Sequence, residues 1–150
     1  ISRGLVGSEM CIRDSTSGRS DLATREYERI VTADPTYQDA LLNLGSLYLA
    51  QGQVGLSEET LRAASVINPN DVRVQSSYGN VLIEQRKYEQ ALIPLTQAAN
   101  TRNSPDDHLS LGIAYEGLGL NQEALESFQR AKELGANYPE LDDIISSLTQ

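Results

Sequence analysis

Tryptophan is absent from this chain of 150 residues, and cysteine, methionine, phenylalanine and histidine each occur once. Cys11 and Met10 both fall within the first fifteen residues, so the remainder offers no thiol for metal or redox chemistry. Aromatic residues make up 5% of the chain. Each has a place in the pattern described below, which leaves no aromatic cluster to stack bases or a cofactor. Basic residues are few: 12 against 21 acidic ones give a net charge of −9. That balance argues against nucleic acid or an anionic membrane as the main partner. No apolar run approaches the roughly 20 residues that a membrane-spanning helix needs.

A phrase recurs in what is present. Leu44-Gly45-x-x-Tyr48 returns as Tyr78-Gly79-x-x-Leu82 and as Leu111-Gly112-x-x-Tyr115, at spacings of 34 and then 33 residues. Each glycine is followed by a small residue (Ser57, Ala91, Ala124), then a large one (Leu61, Leu95, Phe128), then alanine (Ala64, Ala98, Ala131). A turn closes the copy, as in Asn68-Pro69-Asn70-Asp71. Ala23, Tyr27, Ile30 and Asp34-Pro35 form an earlier half-copy. A fixed period of this length is the mark of a helical repeat array, in which stacked copies bury apolar faces that one helix pair cannot bury alone.

Between about Asp21 and Tyr138 the chain resembles the tetratricopeptide repeat family. The resemblance implies an all-α fold, an α–α superhelix of about three and a half repeats with a C-terminal capping helix. Its divisions are a half-repeat over 20–37, repeats over 38–71, 72–104 and 105–138, and the cap over 139–149, within a domain of 18–150. Near the start of the first helix of each copy stand Leu41, Gln75 and His108, in place of the usual tryptophan. The third copy is one residue short around Thr101–Ser104. Residues 1–17 are expected to be a non-native or disordered leader, because they lack an apolar period and residues 1–15 resemble a translated sequencing adapter.

Caps and breakers predict helices opening at Ser20 or Asp21, Thr36, Val54, Asn70 or Asp71, Tyr88, Ser104 and Asn121. Ser104-Pro105-Asp106-Asp107 combines a capping serine, proline at the first helical position and acids at the positive end of the helix dipole. Gly45, Gly79 and Gly112 are expected where the two helices of a copy cross, with Ala124 facing Gly112 and the large residue filling the space between copies. Leu141, Ile144, Ile145 and Leu148 fall on one stripe, as a capping helix requires.

Catalytic constellations are not apparent. His108 has no oriented partner for a triad, and Gly117-Leu118-Gly119 lacks the strand and third glycine of a dinucleotide loop. Glu58-Glu59, Asp106-Asp107 and Asp142-Asp143 are sequence neighbours that point in different directions, so they read as solvated surface. No catalytic residue, metal site or cofactor is assigned.

The family resemblance implies a concave groove lined by the first helix of each copy. Carried over in register, its residues are Asp39, Leu42, Asn43, Ser46, Leu49, Arg73, Ser76, Asn80, Ile83, Asp106, Leu109 and Ile113. The lysine, asparagine and arginine clamp with which some family members hold a terminal carboxylate is missing, since Leu42, Ser46, Ser77, Asp106 and Ser110 occupy those places. Asn43 and Asn80 could bond a peptide backbone, apolar neighbours could select side chains, and Arg73, the lone cation expected there, would favour an acidic group. The expected function is a non-catalytic scaffold binding a peptide or partner helix. The alternatives are the tail of a larger bacterial enzyme or membrane protein, such as a glycosyltransferase or envelope polymerase, or a component of envelope or pilus assembly. Homo-oligomerisation, compartment and any upstream segment are left open.

Overall fold

The computed structural model describes the backbone of residues 2–150 and the side chains of residues 18–150. Eight helices follow one another: α1 (Ser2–Ala33), α2 (Gln38–Ala50), α3 (Val54–Ile67), α4 (Val72–Glu84), α5 (Tyr88–Arg102), α6 (Pro105–Gly117), α7 (Asn121–Glu133) and α8 (Leu141–Leu148). The leader expected over residues 1–17 lies outside the described side chains. Ser20 and Asp21, expected to open the first helix, lie inside α1, where the Ser20 carbonyl accepts from Thr24 Oγ1 at 2.9 Å. Nothing between Gly18 and Asp21 interrupts the backbone ladder, and the first proline is Pro35.

Helix α2 begins two residues after Thr36, because Asp34 captures both the Thr36 N–H (3.0 Å) and its hydroxyl (2.7 Å) in the preceding turn. Asp71 and Ser104 cap as expected: their side chains accept from the N–H of Arg73 and of Asp107. The short third copy has a physical explanation. Helix α5 continues to Arg102, and Asn103 in the left-handed region (φ 49°) turns the chain directly into the Ser104 cap. Asparagine tolerates that conformation better than most residues. The turns within copies place Gly52 and Gly119 at φ +74° and +72°, and Arg86 occupies the corresponding place at φ 58°.

The glycines open space for the large residue of the same copy. A Cβ built on Gly45 would stand 2.5 Å from Leu61 Cγ, one on Gly79 2.5 Å from Leu95 Cγ, and one on Gly112 2.6 Å from Phe128 Cε1. Leu61, Leu95 and Phe128 therefore pack into their own copy's crossing, not only between copies as expected. The small residue sits alongside, fully buried, and Ser57 Oγ donates to the Gly45 carbonyl at 2.7 Å.

Pairs α2–α3, α4–α5 and α6–α7 make the tightest associations, and each packs on the next. Helix α4 also touches both α2 and α6, whereas among the described residues no two of α1, α3, α5 and α7 are in contact. The even helices therefore form the inner layer of a curved stack. Helix α1 supplies the second helix of an incomplete copy: Ala23, Tyr27 and Ile30 are half-buried where Leu61, Leu95 and Phe128, with their flanking small residues, are at most 1% exposed. At the other end α8 lays Leu141 (2% exposed) onto Ala124 and Phe128, with Ile144, Ile145 and Leu148 beside it. This is the expected capping stripe.

Candidate functional site

Helix periodicity and packing leave one strip of each inner helix open. On α2 it holds Asp39, Asn43, Ser46 and Ala50, all exposed. On α4 it holds Arg73, Ser77, Asn80 and Glu84, and on α6 Asp106, Ser110, Ile113 and Gly117. Each strip is spaced i, i+4, i+7, i+11, which is one face of an α-helix. Because the strips repeat in register, they align across the stack into rows: Asp39, Arg73, Asp106 along one edge, then Asn43, Ser77, Ser110, then Ser46, Asn80, Ile113.

The twelve residues expected in a groove divide on this geometry. Asp39, Asn43, Ser46, Arg73, Asn80, Asp106 and Ile113 lie on the open strips. Leu42, Leu49, Ile83 and Leu109 are half-buried at the borders. Leu42 packs on Leu41, Ala64 and Val74, Ile83 on the cluster around Leu82 and Leu95, and Leu109 on that around Phe128. Ser76 is buried and its hydroxyl donates to Asp107 at 2.7 Å, so it is committed to the core. The open face is consequently more polar than the sequence suggested, with Ile113, 42% exposed, its one large apolar residue in the open rows.

The charges also differ from expectation. Arg73 stands 2.9 Å from Asp39 and 2.7 Å from Asp71. The hydrogen bonds that Arg73 donates to Asp71 first, then to Asp39, raise its pKa, and those it donates to Asp71 lower that of Asp71. With two carboxylates on one guanidinium, Arg73 does not make the face attractive to an acidic group. Among the amides, Asn43 Nδ2 donates to the Tyr27 hydroxyl at 3.2 Å. The half-buried Asn80 makes no side-chain hydrogen bond to another described residue. Its carboxamide is thus free to donate and accept at the centre of the face.

Asp107, grouped with Asp106 as solvated surface from sequence, is fully buried. It accepts from Ser76, Ser104 and twice from Arg102, at 2.6–2.7 Å. Burial pushes its pKa up, but the bonds from Arg102, Ser104 and Ser76 outweigh that and leave it lowered. The sequence signal was present in the spacing Ser104-x-x-Asp107, a capping box.

His108 is half-buried, and its Nε2 lies 2.9 Å from Asn103 Oδ1. Desolvation first, then the nearby Arg130, lowers its pKa, with Asp107 opposing. It edges a shallow polar crevice between α5 and α7, lined also by Tyr115, Glu123 and Arg130. A crevice in the equivalent place between α1 and α3 contains Tyr48. Desolvation, then the bond to Glu28, pushes the Tyr48 hydroxyl up to about 12. The corresponding space in the middle of the stack is crossed by Lys87, which bonds Glu58 at 2.8 Å and lowers its pKa. Among the described residues no cluster of three metal-ligating side chains occurs, and no helix is long and apolar enough to cross a membrane.

Two tetratricopeptide repeat models match the chain, over residues 16–81 and 79–139. Among curated proteins, the type IV pilus assembly protein PilF of Pseudomonas aeruginosa is 26% identical over 125 residues, covering 81% of this chain and 50% of that protein. The human protein O-mannosyl-transferase TMTC3 is 34% identical over 82 residues, 52% of this chain and 9% of that protein. The chain thus spans half or less of these curated relatives. Among solved structures, MamA of Desulfovibrio magneticus RS-1 superposes with a TM-score of 0.82 at 18% identity, covering 91% of this chain and 78% of that one. MamA AMB-1 superposes with a TM-score of 0.78 at 28% identity, over 91% and 81% of the two chains. Both matches are to all-helical repeat stacks of this shape.

Proposed function

This chain belongs to the tetratricopeptide repeat family, and we propose that, as a non-catalytic scaffold, it binds an extended peptide segment of another protein across the open face of α2, α4 and α6. The observation that supports this most is Asn80: half-buried, without a side-chain partner among the described residues, and next to the row of Asn43, Ser77 and Ser110. Such a row can hold a peptide backbone without reading its sequence, because backbone N–H and C=O groups are the same in every residue. Ile113 in the rows and Leu49 and Ile83 at their borders would favour small apolar side chains. Affinity is modest, since ordering an extended segment offsets much of the gain from a short array. The test is the double change Asn43→Ala with Asn80→Ala. Partner binding, measured by calorimetry, is expected to weaken at least tenfold while the urea midpoint moves little, because Asn43 gives up only one exposed hydrogen bond. Unchanged binding, with loss instead on changing Glu59 and Gln129 of the outer helices, would remove the site from this face.

A second reading has its own observation. Ile93 and Val66, on outer helices, are 78% and 74% exposed. Exposed apolar residues on an outer layer suit assembly contacts, and one relative named above is a pilus assembly protein. Association in sedimentation that is abolished by Ile93→Ser would favour it.

A further inference from the structure

The inner helices end without cations. No basic residue stands in the last turn of α2, α4 or α6, nor in that of the outer helices α1 and α3, whereas α5 ends with Arg102 and α7 with Arg130 and Lys132. Two inner helices instead carry carboxylates there: Glu84 is the last residue of α4, and Glu116 the last but one of α6. A helix C-terminus carries partial negative charge, so each glutamate is repelled by its own helix. Both are exposed, and neither side chain makes a hydrogen bond or ion pair with another described residue. Nearby cations are no remedy, since Lys87 is engaged with Glu58 and Arg86 forms no ion pair with Glu84. Carried in register, Glu84 stands with Ala50 and Gly117, and Glu116 with Leu49 and Ile83, so both carboxylates lie at the C-terminal edge of the open face. Along the opposite edge Asp39 and Asp106 stand beside an Arg73 already shared by Asp39 and Asp71.

We propose, resting on the groove reading above, that the occupant of this face is a cationic peptide segment whose lysine or arginine side chains reach Glu84 and Glu116 while its backbone lies on the amide and hydroxyl rows. A cation at either glutamate meets a carboxylate and the negative end of a helix, an attraction that an uncharged or acidic segment lacks. The charge of the whole chain, −9, steers the same segment toward it.

The probes are two fluorescein-labelled decapeptides, one alternating serine and lysine, the other alternating serine and glutamine, followed by anisotropy at moderate salt. The full chain is compared with Glu84→Gln/Glu116→Gln and with Glu59→Gln/Glu126→Gln, which removes the same charge from the outer helices. The lysine peptide is expected to bind at least tenfold more tightly than the glutamine peptide. The inner pair of changes should weaken it at least fivefold and the outer pair less than twofold. The inner pair should also raise the melting temperature, because two carboxylates leave helix C-termini. Equal binding of the two peptides, or equal effects of the inner and outer pairs, would overturn the proposal. Binding of the glutamine peptide, and its loss on Asn43→Ala/Asn80→Ala, reports the groove reading separately.

Discussion

Gly112→Val is expected to lower stability by about 1–3 kcal/mol, the usual range for overpacking a core, while Gly55→Val changes it by no more than about 0.5 kcal/mol. A side chain on Gly112 would place carbon 2.6, 2.7 and 2.9 Å from three ring atoms of Phe128. Non-bonded carbons prefer roughly 3.5–4.0 Å, so the ring or the helix must move by nearly an ångström. Phe128 is 1% exposed and wedged against Ala124 and Leu141, which leaves it nowhere to go. Valine is a somewhat better helix former than glycine, but by only a few tenths of a kcal/mol. Overpacking therefore wins. A Cβ on Gly55 meets nothing within 4 Å, so there the propensity gain stands alone. Urea midpoints of the two variants make the comparison. Equal midpoints would mean that α6 and α7 do not cross where the repeat register places them.

The second large effect belongs to Asp107. Asp107→Ala removes the acceptor of four hydrogen bonds that tie α4, α5 and the start of α6 together. Breaking a buried ion pair from one side costs about 3–5 kcal/mol. Here the orphaned partner, Arg102, is 42% exposed at its side chain and can recover water, so about 2–3 kcal/mol is expected. The sign of the pH dependence follows from the lowered pKa. A carboxylate held below its unfolded value, about 3.9, stabilises the fold above that pH. The contribution is lost as pH falls through the folded value. The stability gap between the natural chain and Asp107→Asn should therefore be full at neutral pH and shrink below about pH 4. A gap that stays constant into acid would show that Asp107 acts through shape alone.

How much of this was readable beforehand depends on the residue. The period, the helix pairs and the capping stripe of α8 follow from apolar spacing, which a one-dimensional pattern records well. The opening of α3 at Val54 was placed from sequence, because Gly52 just before it is a local signal. Boundaries set by longer contacts were less legible. Thr36 looks like a cap but is held by Asp34, and the chain could not show that α5 would run to Arg102 before Asn103 turned it. At the open face, Asn43, Ser46, Asn80 and Ile113 lie on the open strips. Register did not distinguish them from Ser76, only four residues before Asn80, because the hydroxyl of Ser76 is buried by Asp107 from the next copy. The charge of Arg73 was misjudged for the same reason: Asp39, its partner, is 34 residues away. Spacing assigns a residue to a face, and only the neighbouring copies decide whether its polar atoms are already used.

The claim that the inner face is where partners bind is tested most directly by photo-crosslinking in a bacterial host. A benzophenone side chain is placed singly at Ser46, Asn80 and Ile113, and, on the outer helices, at Glu59, Ile93 and Gln129. Discrete adducts of one partner are expected from the three inner positions and none of that partner from the outer three. Adducts from Glu59, Ile93 and Gln129, with none from Asn80, would contradict the claim.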